Sequence, residues 1–348
     1  MLKGRGAQIQ VKNKFLKQEY VAEHIEGLDE PLIENSKTKY ISTFPKTIVN
    51  KVDSPDLGLA YSLNPYQGCE HGCIYCYARN SHEYWGYSAG LDFERVILVK
   101  QNAASLLEKF LQKPKWQPQT IMISGNTDCY QPIERKLKIT RSLLEVFLKY
   151  KHPVGMITKN VIILRDLDLI KPLADLQLIT IALSITSLDE YVRRKLEPRT
   201  ATAKAKLNAM QKLADAGVPC RVMIGPVIPG LNDHEIPDIM KSAADAGAKG
   251  SIYTIIRLNG AIGGIFTNWV KEAFPGRAEK IISQIKGMHN GKLNDSRFGL
   301  RMTGEGNMVA SIHRMMELSR NKYFDEENFP KLRKDLFVKT NKGQMGLF

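Results

Sequence analysis

"LAYSLNPYQGCEHGCIYCYARN", Leu59 to Asn80, runs from a short apolar segment into a loop that holds three of the chain's five cysteines. Cys69, Cys73 and Cys76 follow an x3-x2 spacing, and no fourth cysteine stands close behind. Further runs of the same apolar kind recur at Ile121–Ser124, Val154–Thr158, Leu178–Thr186, Arg221–Gly230 and Ile252–Leu258. Most are near-continuously apolar, as strands of a parallel sheet buried on both faces should be. Amphipathic segments lie between them. Leu137, Leu144 and Phe147 mark one; Leu207, Met210 and Leu213 mark another, which stops at Gly217. A third opens with Asn232 or Asp233 as helix N-cap and stops at Gly247. Strand then helix, repeated about six times, predicts an α/β fold with right-handed crossovers, a partial barrel of the (β/α) kind. Ligands of such folds gather at the carboxyl ends of the strands.

Two flanks break this rhythm, which divides the chain into residues 1–58, an N-terminal extension; 59–264, the core; and 265–348, a helical C-terminal region. The last part, Lys331 to Lys342, carries five basic residues against one aspartate and reads as a solvated helix face. Trp269 and Phe274 read as residues that pack a helix on the core.

The 348 residues carry a formal charge of +14. That balance favours an anionic partner, nucleic acid first. No window approaches about eighteen uninterrupted apolar residues, so no membrane span is expected. The basic start lacks the apolar stretch of a secretory signal, which makes the cytoplasm the expected compartment. Three clustered cysteines among five form a poor disulfide framework, and metal binding or catalysis is the better use of them.

Soft thiolates select zinc or iron–sulfur clusters. Zinc wants four closed ligands, with His71 or His82 as the fourth. Cys73 and Cys76 also have the spacing of a redox pair. A ferredoxin-type carrier wants a fourth cysteine in a longer run. Three thiolates suit a cubane cluster that leaves one iron open, as catalytic metals keep one position open.

The x3-x2 spacing with an aromatic, Tyr75, before the last cysteine resembles the signature of the radical S-adenosylmethionine superfamily. "SGNTDCYQPIE" and "ITKN" resemble stretches of its DNA-repair-photolyase-like branch, which includes spore photoproduct lyase, and the C-terminal stretch resembles an uncharacterised bacterial group of that branch. The resemblance implies a partial (β/α)6 barrel and a [4Fe-4S] cluster on Cys69, Cys73 and Cys76. It also implies reductive cleavage of S-adenosylmethionine to a 5′-deoxyadenosyl radical that abstracts hydrogen from a substrate. By the same resemblance Thr127 and Asp128 meet the methionyl amino end and Lys159, beside Thr158, meets the carboxylate. Ser184 and Thr186 bond cofactor oxygens, Arg199 clamps a carboxylate or ribose, and Tyr75 and the backbone at Val227 and Ile228 face the adenine. An electron donor such as flavodoxin or ferredoxin is implied as a partner.

One departure stands out. The spore photoproduct enzymes place a hydrogen-donating cysteine two residues before the Ser/Thr-Asp pair; here that position is Gly125. Cys129, just past Asp128, is the substitute candidate, which speaks against spore photoproduct repair. Three functions compete: a radical enzyme on nucleic acid, for repair or modification; a radical enzyme on a small molecule or peptide; and a non-enzymatic nucleic-acid binder carrying zinc or a cluster.

Overall fold

The computed structural model describes residues 4–16 and 37–339. Its strands are β1 (Lys39–Thr43), β2 (Val49–Lys51), β3 (Tyr61–Leu63), β4 (Tyr66–Gln67), β5 (Val96–Lys100), β6 (Ile121–Ile123), β7 (Val154–Thr158), β8 (Ile179–Ser184), β9 (Cys220–Val227) and β10 (Ser251–Ile255). Seven of them form one sheet in the order β10-β9-β8-β7-β6-β3-β2. The first six strands of that order pair parallel, while β2 joins the edge antiparallel to β3. Each parallel strand corresponds to one apolar run of the sequence. Helices follow β7, β8, β9 and β10 in turn, and this repeating unit builds an α/β fold whose ends, β2 and β10, are not paired with each other. The barrel is therefore partial.

The strands are apolar because helices and the sheet's own concave side cover both faces. β7 and β8 are buried almost throughout. Helix Ala203–Asp215 buries Ala203, Lys206, Met210 and Leu213. Met210 and Leu213 face the core as expected and Leu207 packs half-buried against it, while the same stripe also takes Lys206 inward. Thr202 caps this helix by accepting the Ala205 amide, and Gly217 ends it at φ +76°, where a side chain would be strained.

Several expectations are corrected. Asn232 does not cap the next helix, Ile236–Asp245. Its side chain accepts from the Ile228 amide at 2.6 Å and donates to the Thr186 and Pro226 carbonyls, so it ties the end of β9 to the end of β8. Helix Ile262–Ala273 spans residue 264, and β1 and β2 of the extension pair with β5 and β3. β1, β5 and β4 form a second sheet that the sequence reading missed.

The basic tail is not a helix over residues 331–339, and the rest of it lies outside the described residues. The Arg333 and Val338 amides donate to the carbonyls of Gln177 and Tyr150, which precede β8 and β7. The tail thus crosses the amino ends of the strands. Trp269 is fully buried against Phe266 and Phe274, in a packing role.

His152 lies beneath this tail with no exposed surface. Its Nε2 accepts from the Trp116 indole at 3.2 Å, so Nδ1 carries the proton and donates to the Pro153 carbonyl. A proton on Nε2 would face another N–H. Burial lowers the imidazole from 6.5 to about 4. The unfolded chain takes up this proton first as pH falls. The neutral ring's contribution, roughly 3 kcal/mol, is therefore complete above about 6.5 and is lost toward 4. Chemical denaturation at pH 7 and pH 5 should show this loss in the wild type. His152→Gln, which has no such proton to gain, should lose less over the same interval; parallel losses would contradict the assignment.

Candidate active site

The cysteine loop leaves β3 and lies over the carboxyl ends of the strands. Cys69 and Cys73 are buried and Cys76 is half-buried. The Cys69 amide donates to the Phe93 carbonyl and the Ile74 amide to Leu196. Gly72 turns the loop at φ +68°. Arg79, which has no exposed surface, donates twice to the Cys73 carbonyl and pairs with the equally buried Glu94 at 2.5 Å. Glu94 in turn accepts the amides of Gly6 and Ala7, which straps the N-terminal segment across the outside of the loop. A Cβ on Gly6 would stand 1.7 Å from the Gly72 carbonyl oxygen, so this approach needs glycine. Nothing in the composition of the extension marks this role.

Burial pushes all three thiols above their usual value. The Glu197 charge adds to this at Cys73, while Lys159 pulls Cys73 back and Arg79 pulls Cys76 back. A metal must therefore displace protons held by desolvation, with two cations close by to offset thiolate charge. Among the described residues no three His, Cys, Asp or Glu side chains converge as a single ion would require. His71 Nδ1 lies 3.2 Å from the Asp128 carboxylate and its Nε2 3.2 Å from the Asn160 amide nitrogen. His82 stacks on Tyr87, edge-on to Phe93, and burial lowers it to about 4. His71 is thus held by Asp128 and Asn160. Among the described residues, His82, whose ring nitrogens have no hydrogen-bond partner, joins no convergent set of ligands. The three thiols therefore fit a cluster spread over three corners better than one closed zinc.

Beside the loop stands a polar group drawn from three strand ends. Lys159, just past β7, donates to Ser184 at 2.5 Å and to the Gly225 carbonyl at 3.3 Å, and lies 3.1 Å from Glu197. Glu197 is fully buried. It accepts from Tyr75 and from Thr186, and it pairs with Lys206 at 3.3 Å. Burial alone would raise its carboxyl; Lys159 and Lys206 outweigh that and hold it far below the usual range. Asp128, past β6, accepts from Thr158, from the Lys159 amide and from the Tyr130 amide. Burial opposes its ionisation, but His71 and these donors keep it below the ordinary carboxylate value. The Thr127 hydroxyl donates to the Tyr66 carbonyl, which fixes the turn that presents Asp128.

Tyr75, Thr127, Asp128, Lys159 and Ser184 thus lie in linked hydrogen-bond networks around the cysteine loop. Arg199 does not join them. Its guanidinium donates to the Gly4 carbonyl and lies 4.0 Å from Glu70, on the outer side of the loop. Glu197 and Arg199, two residues apart, point to opposite sides and form no pair. Cys129 packs in the apolar core with no exposed surface. Its amide donates to the Ser124 hydroxyl and burial raises its thiol well above the usual value. That setting is one of an apolar filler. At Gly125 a Cβ would meet that of Ser62 at 3.0 Å, so a cysteine there requires Ser62 to shift. Glu197 with Lys206 was underread in the sequence; the available signal was a lysine in register with a helix's buried stripe.

Residues 63–243, more than half of the chain, match the Radical SAM superfamily. An uncharacterized protein of Mycobacterium tuberculosis is 33% identical over 233 residues, covering 66% of this chain and 68% of that protein. An uncharacterized protein of Methanocaldococcus jannaschii is 30% identical over 201 residues, covering 58% and 72%. The chain belongs to the radical SAM superfamily and is an enzyme of that class. Spore photoproduct lyase complexed with dinucleoside spore photoproduct superposes with a TM-score of 0.62 at 16% identity, covering 87% of this chain and 86% of that one. A mutant of that lyase with bound AdoMet and the dinucleoside superposes at 0.59, also at 16%, covering 84% and 81%. At such identity the likeness is one of fold.

Glu197→Ala should destabilise the protein by roughly 3–5 kcal/mol, since it leaves Lys159 and Lys206 as uncompensated buried cations. A urea midpoint close to wild type would show that the two lysines find other partners. Gly6→Val should free the N-terminal strap while the barrel stays folded. Limited proteolysis would then cut before residue 16 with an unchanged far-UV spectrum; protection equal to wild type would refute the close approach.

Proposed function

We propose that this enzyme uses a [4Fe-4S] cluster and S-adenosylmethionine to abstract hydrogen from a nucleic acid, in repair or modification. The observation that carries the reading is the loop of three thiols, with no histidine among the described residues converging on them as a closed metal site would need, lying against the Lys159 and Asp128 network. Cys69, Cys73 and Cys76 would hold the cluster and leave one iron to the cofactor. Together these groups supply, when bound, the reductive cleavage that yields a 5′-deoxyadenosyl radical.

The protein's own residues bind, orient and exclude water. Lys159 keeps its cation at the end of β7 because Glu197 is ionised behind it, which suits a cofactor carboxylate. Asp128 is a fixed acceptor with lone pairs left over for an amino group. Ser184 and Tyr75 border the same space, Tyr75 with its ring 5.7 Å from the Lys159 ammonium. Burial of all these groups keeps water from a reactive radical. The charge of +14 supports a polyanionic substrate over a neutral metabolite. An electron donor such as flavodoxin or ferredoxin completes the scheme.

Anaerobically reconstituted protein reduced with dithionite should release 5′-deoxyadenosine from S-adenosylmethionine. Single alanine replacements of Cys69, Cys73 or Cys76 should abolish both iron retention and release. Cys129→Ala should keep its iron. Lys159→Met should keep its iron but bind S-adenosylmethionine roughly tenfold or more weakly, the loss of a charge-assisted hydrogen bond. A brown protein that never cleaves the cofactor under any reductant would overturn the enzymatic reading, and iron loss from the Cys129 variant would overturn the ligand assignment.

A further inference from the structure

On the outer side of the cysteine loop lies a cavity of about 620 Å³ that the scheme above does not use. Its wall includes Tyr40 of β1, Arg135 and Lys136 past β6, Asn160 past β7, and Arg199 and Thr200. Three cations line it, and none of the described residues lining it is acidic. Arg135 and Lys136 are exposed and form no ion pair among the described residues. Glu70, which also accepts from the Tyr40 hydroxyl at 2.9 Å and from the Ile133 amide at 3.0 Å, offsets Arg199 at 4.0 Å. The uncompensated positive charge of the cavity is therefore that of Arg135 and Lys136.

Its floor adjoins the cluster loop through one layer of residues. The Asn160 side chain meets His71 at 3.2 Å, and the Arg199 amide donates to the His71 carbonyl. His71 sits between Cys69 and Cys73. Lys159 and Asn160, adjacent in the chain, point to opposite sides: the lysine to the strand-end network, the amide to the cavity.

Resting on the reading that the substrate is a nucleic acid, we propose that this cavity seats backbone phosphates of a single strand. The strand would thereby be anchored beside the active site. Two guanidinium forks and an ammonium match phosphate oxygens. Asn160 adds a neutral donor, and Tyr40, 46% exposed, offers a ring on which a base can stack. The concave shape and its volume suit one or two nucleotides better than the flat face of an acidic protein.

The test uses reconstituted protein and a fluorescein-labelled 20-mer of single-stranded DNA or RNA, followed by anisotropy across a salt series. Arg135→Glu/Lys136→Glu should bind at least tenfold more weakly. Its slope of log affinity against log salt should be shallower by about 1.4, two phosphate contacts for a single strand. Iron content and melting temperature, unchanged, establish that the variant is folded. Lys331→Glu/Lys334→Glu carries the same charge change at the opposite end of the strands and should bind as wild type does. Mononucleotide in excess competes if the site accepts free nucleotides as well as a strand; either source meets the proposal.

Equal weakening by both charge reversals would overturn the cavity as the site and leave only diffuse attraction. Unchanged strand binding by Arg135→Glu/Lys136→Glu, with reduced affinity for flavodoxin, would assign the cavity to an acidic protein instead. Failure of the wild type to bind any strand would sink the nucleic-acid reading itself. Absence of 5′-deoxyadenosine release is a separate failure, that of the radical reading.

Discussion

The arrangement of this site depends on one ionised carboxylate that water cannot reach. Glu197 joins four parts of the fold: Tyr75 of the cysteine loop, Thr186 past β8, Lys159 past β7 and Lys206 from the helix behind. A carboxylate without solvent is costly unless its partners are complete, and here two ammonium groups and three hydroxyls, the third from Thr200, complete them. Removing either ammonium leaves the carboxylate short of a counter-charge, and removing the carboxylate leaves two cations short of theirs. The network therefore holds one geometry, and it fixes Lys159 where the strand ends open.

A second buried pair does the same for the thiols. Arg79 and Glu94 have no exposed surface, and they join the Cys73 carbonyl to the N-terminal strap. The loop is thus gripped from inside by Glu197 through Tyr75, and from outside by Glu94 through Arg79 and residues 6 and 7. Such a loop presents its thiols in a fixed array before any metal arrives, although burial keeps them protonated until one does. The strap also explains why an N-terminal segment of unremarkable composition belongs to the site.

Much of the fold was legible because its signal is local. Six apolar runs gave six parallel strands, since a strand covered on both faces needs no alternation. The three cysteines were legible because their chemistry lies in a spacing of seven residues. Missed were the strands whose pairing partners lie far away in sequence. β1 is exposed along most of its length and pairs with β5, and no pattern within Lys39–Thr43 announces that. The basic tail was misread because charge within a window suggests a solvated helix. Only the folded chain offers it the Tyr150 and Gln177 carbonyls.

What the sequence determined by itself was the α/β class, the six parallel strands, and a thiol set one ligand short of closure. These follow from periodicity and from side-chain chemistry carried on neighbouring residues. Only the tertiary structure decided that Glu197 turns inward and Arg199 outward, that Lys206 is a buried counterion, that His71 lies between Asp128 and Asn160, and that Cys129 faces the core. Each of those outcomes is a competition for partners among residues distant in the chain. The winner is set by burial, which multiplies the cost of an unpaired charge, and burial exists only once the chain has folded.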